Sequence, residues 1–301
     1  MHTSLGTITK KQSIATVLDN LKQLTKFGLS ISVVFSSLAG YLLAADSVKV
    51  STLLLLAIGG YFMVGASNAF NQIIEKDTDK LMKRTMNRPL PAGRMSVNTA
   101  LIIAIVCTIL GITILYLINP KTAMFGAISI FLYTSIYTPL KPKTPLVVFI
   151  GALPGAIPFM LGWVAATGKF GIEAGMLFMI QFFWQFPHFW AIGWLQYDEY
   201  KKAGFNMLPT GDKNKKATSQ IILYTVCMIV VSILPVLKLT GNLYLTPVAA
   251  FLILMSGAVM LYYGIKLHKE RTDKLARKLM LSSVLYITLI QVIYVIDKFL
   301  H

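Results

Sequence analysis

Residues 67–94 read SNAFNQIIEKDTDKLMKRTMNRPLPAGR and directly follow a long apolar run. At helical spacing, Asn71, Glu75 and Asp79 lie on one stripe, each four residues from the last. Asn68 lies one turn before this stripe, on nearly the same face. Oxygen-bearing side chains in such a stripe suit a hard cation such as Mg²⁺, which leaves room for phosphate oxygens and water. The stretch therefore predicts a metal site at the end of an apolar helix.

Basic side chains alternate with these acids, among them Lys83, Arg84 and Arg88. Carboxylates that hold a metal, beside cations that bind phosphate oxygens, make up the composition of a diphosphate site. The alternative is a solvated, salt-bridged loop between two membrane helices. The spacing of the acids next to an apolar run favours the site, since ionisable groups near membrane spans are usually functional.

The composition excludes an ordinary soluble domain. The chain has 301 residues, of which 55% are hydrophobic and only 13% are charged, and its mean hydropathy is +0.67. A soluble domain carries about twice that share of charge. The apolar residues come in runs of about twenty, the length that crosses a bilayer as a helix. These features predict an all-α, polytopic membrane protein.

Nine membrane spans are predicted within a single unit covering residues 24–298. Residues 1–23 are predicted to form a cytoplasmic segment that includes most of a short amphipathic helix over residues 12–24 at the membrane surface. Asn119-Pro120 and Thr138-Pro139 end the third and fourth spans, because proline cannot continue a helix and restricts its predecessor. The spans cover about residues 24–45, 50–74, 99–118, 122–137, 146–167, 175–195, 217–237, 243–265 and 279–296.

The distribution of basic residues predicts the orientation of these spans. In the nine-span arrangement, 23 of the 28 lysines and arginines lie on the side of the N-terminus. The positive-inside rule therefore predicts a cytoplasmic N-terminus and a C-terminus outside. The net charge of +16 is explained by topology and by contact with anionic lipid in the bilayer, so nucleic acid is not needed as a partner. The N-terminal residues lack the pattern of a signal or transit peptide, which favours a bacterial plasma (inner) membrane.

A second group of candidate residues lies in the sixth predicted span. Trp184 and His188 are four residues apart on one helix face, and His188 is the histidine placed within a span. At membrane depth His188 is either functional or hydrogen-bonded inside the bundle, and both readings stay open. Asp198 either extends a polar site or balances nearby lysines. Surrounding aromatic side chains could line a site for a flat aromatic ligand or a polyisoprenoid: Phe182, Phe183, Phe186, Phe189, Trp190 and Trp194.

The connection between the fourth and fifth spans reads YTPLKPKTP, residues 137–145. It adds Tyr137, Lys141 and Lys143 on the predicted cytoplasmic side. Either lysine could bind a diphosphate, and either could serve only the topology of the chain.

These motifs together resemble those of the UbiA-type intramembrane prenyltransferases, and within them the members that farnesylate haem. The resemblance runs from about residue 25 to residue 296. NQIIEKDTDKLMKRTMNRPLPAGR is similar to the first family motif, YTPLKPKTP with the following GALPGAIPFMLGW to the central segment, and PHFW with DEYKKAGFNMLP to the second motif.

The resemblance implies nine helices around a central cavity, capped by two cytoplasmic loops. It implies transfer of a farnesyl group from farnesyl diphosphate to a vinyl group of haem b, which gives haem O and diphosphate. Asn71, Glu75 and Asp79 match the family's Mg²⁺–diphosphate ligands. Arg84 and Arg88 match its basic segment, and His188 matches its motif histidine. The further candidates for binding diphosphate or substrate are Lys83, Lys141, Lys143, Asn68, Trp184, Tyr137 and Asp198. A haem A synthase is a candidate partner.

One departure from the wider superfamily bears on the acceptor. Relatives that act on quinone precursors carry a second acidic repeat after the sixth span, whereas this register offers His188, Ile192 and Gln196. A second full Mg²⁺ cluster is therefore not expected, and haem is favoured over an aromatic quinone precursor, which remains the alternative. A transporter of an anionic lipid would place its charges near the bilayer midplane. Here they lie at the cytoplasmic end.

Overall fold

The computed structural model describes residues 13–301, and all the regular secondary structure in that part is helical. The predicted all-α fold is confirmed. In chain order, the helices are α1 Ile14–Leu24, α2 Phe27–Ala44, α3 Val50–Ile74, α4 Lys76–Asp79, α5 Val97–Tyr116, α6 Pro120–Leu140, α7 Val147–Thr167, α8 Ile172–Leu195, α9 Tyr197–Lys202, α10 Lys215–Leu237, α11 Pro247–Glu270 and α12 Asp273–Leu300.

Eight of these helices are long and apolar enough to cross a bilayer: α2, α3, α5, α6, α7, α10, α11 and α12. The chain is therefore a multi-pass membrane protein. Helix α8 is 24 residues long but less apolar, because it carries glutamines, a histidine and several tryptophans. With α8 included, nine long helices in the described part of the chain correspond to the nine predicted spans. The amphipathic helix predicted near the N-terminus corresponds to α1, which is capped by the Ser13 side chain.

The predicted end of the fourth span at Thr138-Pro139 is wrong by about one turn. Helix α6 continues to Leu140 because residues Leu132–Tyr137 form a wider π-helical turn. The Thr138 N–H bonds the Tyr133 carbonyl across this turn, so the helix passes Pro139 without needing its missing N–H. Such π-turns are frequent at functional sites. This one carries Thr138 to the end of α3, where the Asn71 side chain bonds it.

Glycines let α2 and α7 pack in direct backbone contact. A Cβ built on Gly162 would overlap the Ser37 carbonyl, and one built on Gly40 would overlap the Phe159 carbonyl. Small residues allow membrane helices to approach each other this closely. Helix α7 also packs along α8, while α12 packs against α8, α11 and α2.

Candidate functional site

Asn71, Glu75 and Asp79, here called the acid stripe, stay aligned across a break between two helices. Helix α3 ends at Ile74, and Glu75 leaves helical geometry with φ −92° and ψ 10° before α4 begins. The four-residue hydrogen bonds nevertheless continue, from Glu75 N to Asn71 O at 2.9 Å and from Asp79 N to Glu75 O at 2.7 Å. The predicted alignment of Asn71, Glu75 and Asp79 is therefore present in the structure. All three side chains are buried.

Two buried ion pairs surround this stripe. Arg88 Nη1 donates to Asp79 Oδ2 at 2.7 Å, and Lys141 Nζ lies 2.6 Å from Glu75 Oε1. Burial raises the pKa of Asp79, against the opposing charge of Arg88. Buried ion pairs seldom repay their desolvation in stability. Two such pairs within a few residues therefore point to a role in binding.

The donor atoms of the stripe fit a hard cation. In the described residues, no three side chains of His, Cys, Asp and Glu form a ready-made metal site. The stripe instead offers one amide and two carboxylates, all with oxygen donors. Asp79 Oδ1 is buried and has no hydrogen-bond partner in the described part of the chain. A buried carboxylate oxygen left unpaired is costly, and a bound cation would satisfy it.

Lys26 joins the cluster from the junction of α1 and α2. Its Nζ donates to Asn71 Oδ1 at 3.4 Å, and its backbone has the left-handed φ of 48°. Burial, followed by the nearby charges of Arg88 and Lys141, lowers the pKa of Lys26 to about 7. The sequence pattern does not predict a role for Lys26 in the site, because topology alone explains a lysine ahead of an apolar span. Its position directly before α2 was the available signal.

Asn68 and Gln72 hold the backbone that leads into Lys26. Asn68 Nδ2 donates to the Thr25 carbonyl at 3.3 Å, while Gln72 Nε2 donates to the carbonyls of Gln23 and Leu24, both at 2.9 Å. Asn68 therefore lies beside the stripe, and its amide is used in fixing the α1–α2 junction.

The connection after α6 closes the cluster from another side. Asn71 Nδ2 donates to Thr138 Oγ1 at 3.3 Å. Lys141 Nζ lies 4.8 Å from the ring centroid of the buried Tyr137 and 5.8 Å from that of Phe205. The structure thus brings Tyr137 and Lys141 to the stripe, and it adds Thr138 and Phe205, which no sequence motif predicted.

The remaining charged candidates lie at the periphery. Lys83, Arg84, Lys143 and Asp198 are exposed, outside the two buried ion pairs. The Lys83 backbone N–H donates to Glu199 Oε2 at 2.6 Å. This bond ties the segment after α4 to the segment after α8, so the two predicted cap loops are in contact.

An apolar cavity of about 40 Å³ begins one turn from the stripe. Gly60, Met63, Val64 and Ser67 line it at helical spacing on the face of α3 that continues to Asn71. By helical rise, Ser67 is about 6 Å from Asn71 along the axis and Gly60 about 16 Å. The rest of its lining comes from Val33, Val34, Ser37, Leu115, Gly126, Ser129, Ile130, Ile157, Pro158 and Leu161.

Trp184 and His188 share one face of α8, as predicted, and this face packs on α12. Their rings stack with centroids 4.7 Å apart and 18° between planes. Trp184 Nε1 donates to the Ser283 carbonyl at 2.6 Å, and His188 Nδ1 is 2.8 Å from Ser283 Oγ. In the described residues, no hydrogen bond or ion pair joins His188 to the acid stripe.

Much of the aromatic cluster of α8 is used in core packing. Phe182, Phe186 and Trp190 are buried and contact Phe149 and Tyr224 through tilted or edge-to-face rings. These rings fill the space where α8 meets the start of α7 and α10. Trp184 and His188 are half-buried and are not part of this packed group.

Comparison with known proteins identifies relatives of the chain and of its fold. The chain is 65% identical over 291 residues to a "Protoheme IX farnesyltransferase" of Flavobacterium psychrophilum, covering 96% of this chain and 97% of the relative. Its fold matches a digeranylgeranylglyceryl phosphate synthase with a TM-score of 0.78 at 20% identity, covering 94% and 99% of the two chains. It also matches a UbiA homologue from Archaeoglobus fulgidus bound to DMAPP and Mg²⁺, with a TM-score of 0.63 at 14% identity, covering 91% and 99%.

The family match covers most of the described helices. It extends over residues 33–290, from within α2 to within α12, and so includes the acid stripe, the α6–α7 connection and the His188 face. On this match and the 65% identical relative, the chain belongs to the UbiA prenyltransferase family.

Proposed function

We propose that this protein transfers the farnesyl group of farnesyl diphosphate to a vinyl group of haem b, giving haem O and diphosphate. The observation that carries the transferase chemistry is the pair of buried carboxylates, Glu75 and Asp79, matched with Lys141 and Arg88 at the end of α3. The choice of donor and acceptor is supported by the relative named "Protoheme IX farnesyltransferase", at 65% identity over nearly the whole chain.

Asn71, Glu75 and Asp79 would hold a Mg²⁺ ion together with the diphosphate. Their oxygen donors and the unpaired Asp79 Oδ1 fit that ion, and the family includes a structure with DMAPP and Mg²⁺. When bound, the ion supplies charge neutralisation for a leaving diphosphate.

The cations around the stripe would bind the phosphate oxygens. Arg88 offers a planar fork for two oxygens, whereas Lys141 beside Glu75 and Lys26 beside Asn71 offer point charges. Both Arg88 and Lys141 are already held by carboxylates, so little reorganisation is needed when the substrate enters. The exposed Lys83, Arg84 and Lys143 would attract the diphosphate from the surface.

The apolar cavity below the stripe would receive the start of the farnesyl chain. It lies on the same face of α3 as Asn71, so a diphosphate at the stripe points its tail into it. Met63 lines the cavity and is flexible enough to move when the tail enters. Apolar walls also keep bulk water from the reacting carbon.

The reaction follows from these placements. Arg88, Lys141 and Lys26 stabilise the diphosphate as the carbon–oxygen bond of the donor breaks and its electron pair leaves with the phosphate oxygen. The vinyl π electrons of haem b then form a carbon–carbon bond to the allylic cation. A water molecule adds to the new cation and loses a proton, which leaves the hydroxyl group of haem O. Excluding water before this last step prevents hydrolysis of the donor.

The acceptor would be bound by the α8 face that carries Trp184 and His188, with His188 as a ligand to the haem iron. Tyr137 and Asn68 lie next to the acid stripe and would line the binding site of the donor. Asp198 lies at the outer edge of the site. We further assign the protein to a bacterial plasma (inner) membrane, with the N-terminus in the cytoplasm and a haem A synthase as a candidate partner.

Purified protein incubated with haem b, farnesyl diphosphate and Mg²⁺ tests the proposal. The expected product has the mass of haem O, and it forms only in the presence of all three components. Chelation of Mg²⁺ by EDTA should stop product formation, and added Mg²⁺ should restore it. Prenylation of an aromatic quinone precursor, with no haem product, would refute the assignment of the acceptor while leaving the transferase chemistry in place.

A further inference from the structure

Ser283 lies between His188 and a carbonyl of its own helix, α12. Its Oγ is 2.6 Å from the Met280 carbonyl oxygen and 2.8 Å from His188 Nδ1. A carbonyl oxygen only accepts, and serine has one O–H, so that hydrogen is donated to Met280. The Ser283 oxygen can then only accept from His188. Neutral His188 therefore carries its proton on Nδ1, and its Nε2 holds a free lone pair.

The other contacts of His188 fix the ring without using Nε2. The ring stacks on Trp184 and meets Phe189 edge-to-face at 5.3 Å and 69°. Trp184 is held in turn by its bond to the Ser283 carbonyl. Nε2 has no hydrogen-bond partner in the described part of the chain. The contacts on the rest of the ring thus orient this lone pair and leave it unused.

We propose that Ser283 is a positioning residue that holds His188 in the tautomer needed to bind haem iron through Nε2. The inference rests on the proposed function, in which haem b is the acceptor. Histidines that bind metals generally donate their other ring N–H to a second group, which fixes the tautomer and the ring plane. The opposite tautomer would place a proton on Nε2 and block the iron.

The chain offers two matched controls. Ser282 donates to the Leu279 carbonyl at 2.9 Å, the same bond to a carbonyl three residues earlier, but no hydrogen bond joins it to a histidine in the described residues. His268 Nδ1 is 2.9 Å from Thr218 Oγ1, which also donates to a carbonyl, at the end of α11 instead of inside the bundle. Replacing Ser282 or His268 by alanine removes similar bonds away from the proposed haem site.

Titration of purified protein with ferric haem b, followed by absorbance, measures both affinity and axial ligation. We expect Ser283→Ala to weaken haem binding by about 10- to 100-fold, the usual effect of losing such a partner, and to shift the Soret band away from the wild-type position. Ser283→Thr keeps the hydroxyl and should retain the wild-type spectrum. Ser283→Cys keeps the size of the side chain but has a weak acceptor, so it should shift the spectrum even where Ser283→Ala fails to fold.

The outcomes separate this inference from the proposed function. If Ser283→Ala and Ser283→Cys keep the wild-type affinity and spectrum while His188→Ala loses both, His188 binds haem and the role of Ser283 is refuted. If wild type shows no haem ligation, haem binding through His188 fails and the inference falls with it. If His188→Ala leaves ligation unchanged, His188 is not the iron ligand and the inference is refuted, while the product assay still tests haem b as the acceptor. A shift in Ser282→Ala or His268→Ala as large as that in Ser283→Ala would also overturn the inference, because the effect would be general to the bundle.

Discussion

Replacing Asp79 by asparagine, with its neighbour Asp77 as the control, tests the acid stripe. Both aspartates lie on α4, two residues apart, and both form an ion pair. The Asp79 side chain is 1% exposed and pairs with Arg88, whereas that of Asp77 is 85% exposed and pairs with Lys80 at 3.0 Å. Asparagine keeps the shape of the side chain and removes its charge. The two variants therefore differ in burial and position alone.

The expected magnitudes follow from that burial. Breaking a buried ion pair by removing one partner costs about 3–5 kcal/mol, whereas an exposed pair contributes about 0–1 kcal/mol. Burial also disfavours the charged form of Asp79 and raises its pKa, so the loss in stability should lie near the lower limit, about 3 kcal/mol. Loss of a ligand for the ion and its diphosphate should cost at least about 4 kcal/mol of transition-state stabilisation, roughly a thousandfold in rate.

Two measurements decide the matter. Product formation from haem b and farnesyl diphosphate is followed across a Mg²⁺ titration, and thermal unfolding is followed in the same detergent. Asp79→Asn should be folded and inactive at all Mg²⁺ concentrations, while Asp77→Asn should match wild type in both. A near-normal, Mg²⁺-dependent rate in Asp79→Asn would refute the assignment. Equal inactivation by Asp77→Asn would show that the charge of α4 matters, and not the buried stripe.

Three further predictions concern the surroundings of the stripe. Arg88→Lys should raise the dissociation constant for farnesyl diphosphate by about tenfold or more, and the exposed Arg84→Lys by less, because an ammonium group lacks the guanidinium fork. Lys26→Met should weaken binding of inorganic diphosphate in isothermal titration while leaving the helices intact by circular dichroism. Gly162→Ala should lower the free energy of unfolding by about 1–3 kcal/mol in a denaturant titration, since its Cβ would overlap the backbone of α2. Gly175→Ala is its control, because a Cβ built on Gly175 would have no neighbouring residue within 4 Å.

The parts of the site that were predictable are local in sequence. Asn71, Glu75 and Asp79 are four residues apart, and helical periodicity alone aligns them. The hydrogen bonds Glu75 N–Asn71 O and Asp79 N–Glu75 O preserve that alignment through the break after α3. Arg88 belongs to the same stretch, so an ion pair between Arg88 and one of these acids could be expected from the sequence.

The parts that were not predictable depend on contacts between distant residues. Lys26 reaches Asn71 across 45 positions, by way of a left-handed backbone conformation that no propensity favours for lysine. Lys141 was one of two equivalent lysines in its loop, and only the folded structure places Lys141 against Glu75 and leaves Lys143 exposed. Ser283 meets His188 across 95 positions, so the two readings of that histidine could not be separated before α12 was placed.

The placement of charge also explains how a site with so many ions is tolerated in this membrane protein. The buried pairs lie at the end of α3, where the predicted topology has the bilayer meet the cytoplasm, and the apolar cavity extends from there along the same helix face. A prenyl diphosphate is divided in the same way, because its diphosphate head is charged and its prenyl tail is apolar. Ionisable groups deep in a bilayer are costly, so the head must stay at the interface. His188 lies seven residues, or about 10 Å, before the end of α8, so the proposed acceptor face is at the depth where an apolar tail would begin.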